Sequence, residues 1–153
     1  MKPDTARLPI PSHLLIACEP FGARLSASAV CGAIARGVLA RGLPEPDLCA
    51  LPGPDEAGGD PRALLDELGF DRRMRSARAV ILGAVKLEEA TLAGSLAFEI
   101  ATRARQAGVP AYAVTASNAL NSFDARILDL QVILEARGAP SLTAAGEQLA
   151  SLI

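Results

Sequence analysis

Short, uninterrupted apolar runs alternate along this chain with longer stretches of helical periodicity, and that alternation restricts the fold more than any other feature. Leu14 to Cys18 is such a run, as are Arg78 to Leu82, which ends in Gly83, and Ala111 to Thr115. A strand with one wet face alternates in polarity, whereas a strand covered on both faces reads as a continuous apolar stretch. Two further strands are expected at 47–51 and 130–135. Between them lie helices. The first spans 26–41, with Val30, Ile34 and Val38 four apart and Arg36 and Arg41 pointing elsewhere. Ser26 is its expected N-cap and Gly42 its stop, after which Pro44 and Pro46 forbid helix. Residues 62–68 read as helix ended by Gly69, with one more turn at 71–76. A long helix is expected over 90–107, stopped by Gly108 and Pro110. A short helix follows at 123–128, and Ser141 is expected to cap the last. Strands and helices in strict alternation specify a parallel sheet with helices on both faces. The expected fold is therefore α/β, a three-layer α/β/α arrangement around a mainly parallel five-stranded sheet, Rossmann-like.

The 153 residues, 15.8 kDa, suffice for one domain that buries roughly two thirds of its chain surface. That domain is expected to span 13–153, after a polar, proline-containing tail at 1–12. Residues 52–61, rich in Pro, Gly and acids, read as a linker. Half the residues are hydrophobic, and the net charge is only −2. This gives no electrostatic hold on nucleic acid or membrane, and with no Trp, one Tyr and four Phe a stacking platform for bases is excluded. His13 is the single histidine, which excludes a His-rich metal site and a Ser–His relay built elsewhere. Cys18, Cys31 and Cys49 are odd in number, form no CxxC pair and sit in apolar contexts, as core residues in a reducing compartment do. No apolar run approaches the ~20 residues that span a bilayer, and the N-terminus lacks an apolar leader, so a cytoplasmic location is expected.

Ligands of open parallel sheets sit at the carboxyl ends of the strands. Those ends are expected at Glu19–Ser26, 51–55, 83–91 and 115–121. The first loop opens a helix, where free N–H groups, Arg24 and Ser26 would suit an anion; it reads equally as a capped turn with a surface arginine. The second carries Asp55 and Glu56, as ligands to Mg²⁺ or as solvated acids. The third places Lys86 and Glu88 just past a buried strand, the lysine suited to a phosphate and the carboxylate to a metal or a hydroxyl proton. A solvated Lys/Glu turn fits the same residues. Thr115 to Asn118 offers hydroxyls and an amide without charge.

Taken in order, these segments resemble a known family. Leu15 to Ala27 is similar to the opening of the bacterial-type glycerate kinases, a strand followed by a Pro-Asp-Ser-Phe-Lys-Gly-Ser-Leu-Ser-Ala loop. Leu51-Pro52 with Asp55 resembles the family's second-strand exit, a Pro followed by Ala-Asp-Gly-Gly-Glu-Gly. Leu68 to Asp71 and Ala79 to Gly83 resemble the approach to its Gly-Glu-Gly-Arg-x-Asp loop, and Thr91-Leu92 with Gly94 the Gln-Thr-x-x-Gly-Lys that follows. Gly108 to Pro110 and Pro140 to Leu142 also sit where the family has them. The likeness covers two blocks, 13–55 and 64–153. It implies that a second domain, inserted between these blocks in the family, is replaced here by a few residues around 58–61.

The resemblance also implies altered chemistry. The family's loop Asp falls on Glu19, its Phe on Phe21 and its Lys on Gly22. In the third loop Gly83 is kept, but the family's Glu falls on Ala84, its second Gly on Val85, its Arg on Lys86 and its Asp on Glu88. Its Gln falls on Ala90 and its Lys on Ser95. Losing lysines and a glutamate removes much of the electrostatic stabilisation that phosphoryl transfer depends on. The leading expectation is a degenerate relative without kinase activity that binds a small organic acid or phosphorylated metabolite, or acts in regulation. Its candidate ligand-binding residues are Glu19, Phe21, Arg24, Ser26, Asp55, Gly83, Lys86 and Glu88, with no resident metal. Two alternatives stand beside it: an active or split glycerate kinase using Mg·ATP, and a homo-oligomeric interaction scaffold.

Overall fold

The apolar runs form the middle of a five-stranded sheet in which every pairing is parallel, in the order β2-β1-β3-β4-β5. The computed structural model describes residues 12–53 and 59–153. Its elements in chain order are β1 (Leu14–Cys18), α1 (Ala27–Ala40), β2 (Asp47–Ala50), α2 (Pro61–Glu67), α3 (Phe70–Arg75), β3 (Ala79–Leu87), α4 (Leu96–Ala107), β4 (Ala111–Asn118), α5 (Ser122–Leu128), β5 (Ile133–Glu135) and α6 (Ala139–Leu152). A 3₁₀ turn, Glu89–Ala93, precedes α4. β1 has a neighbour on each edge and a helical layer on each face, so all five of its residues are buried. The expected α/β fold with helices on both faces is the one observed.

The two faces have separate cores. On one, α1 and α6 cover Leu14, Ile16 and Ile81 with Val30, Ile34, Val38, Leu142 and Leu149. On the other, α2 to α5 cover Leu15, Val80 and Leu82 with Leu65, Phe70, Met74, Ile100 and Leu128. Helices α1 and α6 touch backbone to backbone. A Cβ at Gly146 would collide with the Ile34 carbonyl oxygen, and one at Gly37 with that of Thr143. The Thr143 hydroxyl donates to the Ala33 carbonyl at 2.9 Å across the same contact. On the opposite face Arg103 of α4 bridges to Asp66 of α2 at 3.0 Å and to Asp71 of α3 at 3.1 Å, with Glu99 one turn before it at 3.5 Å.

Four local expectations are corrected. β3 does not stop at Gly83, nor β4 at Thr115. The pair continues in register to Leu87 and Asn118 because Leu87 is fully buried and anchors the extension. The helix expected over 90–107 is broken. Gly94 adopts φ +98, and the Ser95 hydroxyl then donates to the Thr91 carbonyl and accepts from Phe98 N, so α4 begins only at Leu96. β5 is shorter than 130–135, since Asp129 lies in the left-handed region at φ +54 and the chain reaches ladder geometry only at Ile133. Ser141 is not the N-cap of α6. That position is Gly138, and Ser141 lies within the first turn, where its hydroxyl accepts from the amides of Arg137 and Gly138 at 3.1 Å.

Candidate functional site

The sheet order sets where a ligand can enter. From β1 the chain passes to α1 on one face, and from β3 to α4 on the other, so the connections diverge and leave a crevice beyond the ends of these neighbouring strands. Glu19 is the first residue beyond β1. Its amide donates to the Gly83 carbonyl at 2.9 Å, which holds the backbone against β3. Its side chain is only 6% exposed, and Oε1 accepts from the Val85 amide at 3.3 Å. Burial raises the carboxyl to about 7, against the lowering effect of the Val85 hydrogen bond. Near neutral pH this acid therefore exists in both forms, able to donate as an acid or accept as a carboxylate.

Glu19 forms part of a pocket of about 450 Å³ between the β3 extension and the start of α4. Lys86 and Glu88 line it and pair with each other at 3.3 Å, each about half exposed. An exposed pair of this kind contributes about 0–1 kcal/mol, so the lysine is readily recruited by another anion. The opposite wall is the segment Thr91–Ala97. Thr91 is buried, with its hydroxyl accepting from Glu88 N at 3.0 Å and its amide donating to the Glu88 carbonyl at 2.9 Å. Ser95, Leu96 and Ala97 bring the amino end of α4, with its partial positive charge, to the pocket. Gly59 and Pro61 complete it where α2 begins.

Of the residues singled out in the sequence, Glu19, Lys86 and Glu88 meet here. Gly83 lies beneath them as packing. A Cβ on it would come within 2.6 Å of Cys18 Sγ, and its strand can approach β1 only as glycine. Phe21 is buried and faces a different cleft, shared with Lys86. Arg24 is exposed and belongs to neither cavity. Ser26 is committed as N-cap of α1, accepting from Ala29 N at 3.1 Å. Asp55 and Glu56 lie outside the described residues. Thr91, at the end of the expected third loop, and Ser95, where the resemblance puts the family's Lys, were not among the candidate ligand-binding residues; the Gly94-Ser95 pair, a break followed by a capping residue inside a helical pattern, was the available signal.

The pocket collects the positions at which the third loop and the segment after it depart from the resembled motif, whereas Gly22 of the first loop lies in the cleft beside Phe21. Ala84, Val85, Lys86, Glu88, Ala90 and Ser95 all line it, together with Glu19. Among the described residues no group of three or more His, Cys, Asp or Glu side chains is placed to hold a metal ion. Among them, too, no helix is long and apolar enough to cross a membrane.

Comparison with curated proteins gives no match. The sequence profile of the glycerate kinase family matches residues 60–151, which takes in everything from α2 to α6 and the whole α4 side of the pocket. The first resembling block, 13–55, lies outside that stretch. A match over more than half of the chain, on a fold and a strand-end pocket in keeping with it, shows that this chain belongs to the glycerate kinase family.

Proposed function

We propose that the protein is a member of the family without kinase activity, and that it binds a small organic acid, free or phosphorylated, in the pocket between β3 and α4. The observation that carries this reading is the lining itself. Of the positions that the resemblance assigns to the family's charged and polar groups, Ala84, Ala90 and Ser95 now contribute no charge, and Lys86 is already matched by Glu88. A triphosphate entering here would meet one paired ammonium and two carboxyl groups, Glu19 and Glu88. Phosphoryl transfer depends on several preorganised positive charges around the moving group, and such a lining is a poor match for it.

A small acid suits the same pocket. About 450 Å³ falls in the range of small-molecule sites. Lys86 and the amino end of α4 attract a carboxylate, and Glu19, mostly protonated below neutral pH, donates to it or to a hydroxyl beside it. Thermal unfolding with glycerate, 2-phosphoglycerate and Mg·ATP, each alone and in combination, tests the proposal. A ligand at a hundred times its dissociation constant adds ~2.7 kcal/mol, or about 5–10 °C in a domain of this size. The expected result is a rise with one of the acids, none with Mg·ATP, and no ADP formed from ATP and glycerate. Turnover at ordinary kinase rates overturns the inactive reading, and no shift with either acid overturns the binding reading.

A further inference from the structure

The acid pocket has in its wall a carboxyl group whose charge nothing balances. Glu19 is 6% exposed, and among the described residues its side chain makes no ion pair and one hydrogen bond, from the Val85 amide to Oε1. Among those residues no fully buried side-chain nitrogen or oxygen is without a partner, so Oε2, which has none, opens onto the pocket that Glu19 lines. We propose that a small acid enters this pocket together with a proton, which Glu19 and the ligand's carboxylate share, so that occupancy falls as the medium becomes alkaline. The inference rests on the acid-binding reading above and adds the regulation of that site.

Two carboxyl groups held side by side share a proton, because like charges resist ionising together. Lys86 is the one cation lining the pocket among the described residues, and Glu88 already matches it. A ligand carboxylate beside an ionised Glu19 would therefore set three negative groups against one ammonium. A proton on Glu19 removes one of the three and turns repulsion into a charge-assisted hydrogen bond. No other group facing Glu19 does this. From β3 and the turn after it come only Lys86 and Glu88. The start of α2 contributes Gly59 and Pro61, while Asp60 between them is engaged by Arg62. The amino end of α4 is uncharged. Cys18, the neighbour on β1, is fully buried, and burial pushes its thiol well up, so it stays neutral. Arg24, in the loop that follows, is exposed and outside the pocket. Burial brings the Glu19 carboxyl to about 7, so the proton is at hand near neutrality. A ligand anion beside it raises that value further, and binding then draws a proton from solution.

Calorimetric titration of the full chain with glycerate at pH 6, 7 and 8 tests the coupling. Repeating the pH 8 titration in two buffers of different ionisation enthalpy counts the protons taken up. The carboxylate of glycerate stays ionised over this range, so any slope belongs to the protein. Wild type should bind about tenfold more weakly at pH 8 than at pH 6, in step with the fall in protonated Glu19, and should take up nearly one proton per ligand at pH 8. Glu19→Gln keeps a donor and cannot titrate, so its affinity should be the same at both pH values, with no proton taken up. Histidine is the other side chain that commonly titrates here, and His13 precedes β1, at the end of the strand away from the pocket. His13→Gln should therefore keep the wild-type slope. If Glu19→Gln fails to fold, the wild-type proton count and His13→Gln decide. Glycerate binding with equal affinity at pH 6 and 8 and no proton uptake overturns the coupling and leaves the acid-binding reading standing. A slope that persists in Glu19→Gln, or vanishes in His13→Gln, also overturns it. No binding at any pH overturns both.

Discussion

Replacing Glu19 by Gln should make the protein more stable, and only at one end of the pH range. The carboxyl sits at about 7 in the folded chain against an ordinary 4.5, because burial disfavours its charged form more than the Val85 amide favours it. Between these two values the folded state holds a proton that the unfolded state has released. The group's contribution is therefore fully present below 4.5 and is lost as pH rises through 7. The span corresponds to about 3 kcal/mol. Glutamine has the same shape, keeps an oxygen for the Val85 amide and does not titrate. Wild type and Glu19→Gln should have nearly equal stability at pH 4.5, and the variant should be ahead by about 3 kcal/mol above pH 8, or about 6–12 °C in melting temperature. Urea unfolding of both proteins across that range reads the difference directly, and groups common to the two cancel in it. A gap that does not change with pH, or a variant less stable at pH 8, would refute the claim that Glu19 is buried at a cost in its charged form.

Three further outcomes follow from the packing. Gly146→Ala should cost about 1–3 kcal/mol or prevent folding, because the new methyl meets the Ile34 carbonyl and neither helix backbone can retreat; chemical denaturation measures it. Arg103→Ala should cost about 1–3 kcal/mol, because this mostly buried guanidinium joins α4 to Asp66, Asp71 and the Arg62 carbonyl, and hydrogen exchange should then rise first in α2 and α3. Cys18, Cys31 and Cys49 are all buried and free, so a thiol reagent should react with none of them in the folded protein and with all three after unfolding.

The central strands and α1 were legible because burial on both faces leaves a direct trace in composition. Leu14 to Cys18 has no polar residue to misread, and Val30, Ile34 and Val38 mark one helix face. The ends of β3 and β4 were not legible. There the strands outrun the rest of the sheet, and exposed Lys86 and part-exposed Ser117 interrupt the apolar run although the ladder continues beneath them. At the site, Glu19, Lys86 and Glu88, three of the charged residues expected at strand ends, come together, but the fates of such residues differ with the direction in which each loop leaves. Glu19 turns inward because the Val85 amide, 66 residues away in sequence, reaches it, whereas Arg24, five positions on, is left in solvent. Sequence spacing carries no record of such a crossing. The α4 wall was hidden for another reason: Thr91 and Ser95 are uncharged, and only the turn at Gly94 brings them to the cavity.

The glycine contact between α1 and α6 also has a consequence for how the chain is made. The hydrogen bond across it joins Thr143 to Ala33, residues 110 apart. A ribosome adding 5–20 residues per second takes about 5–20 s to deliver one after the other. Throughout that interval α1 has been synthesised and its partner has not, so the side that carries Ala33 and Gly37 waits uncovered. The α1 face that packs on α6 is thus among the last surfaces of this core to be covered, and a chain that ends before α6 leaves it open.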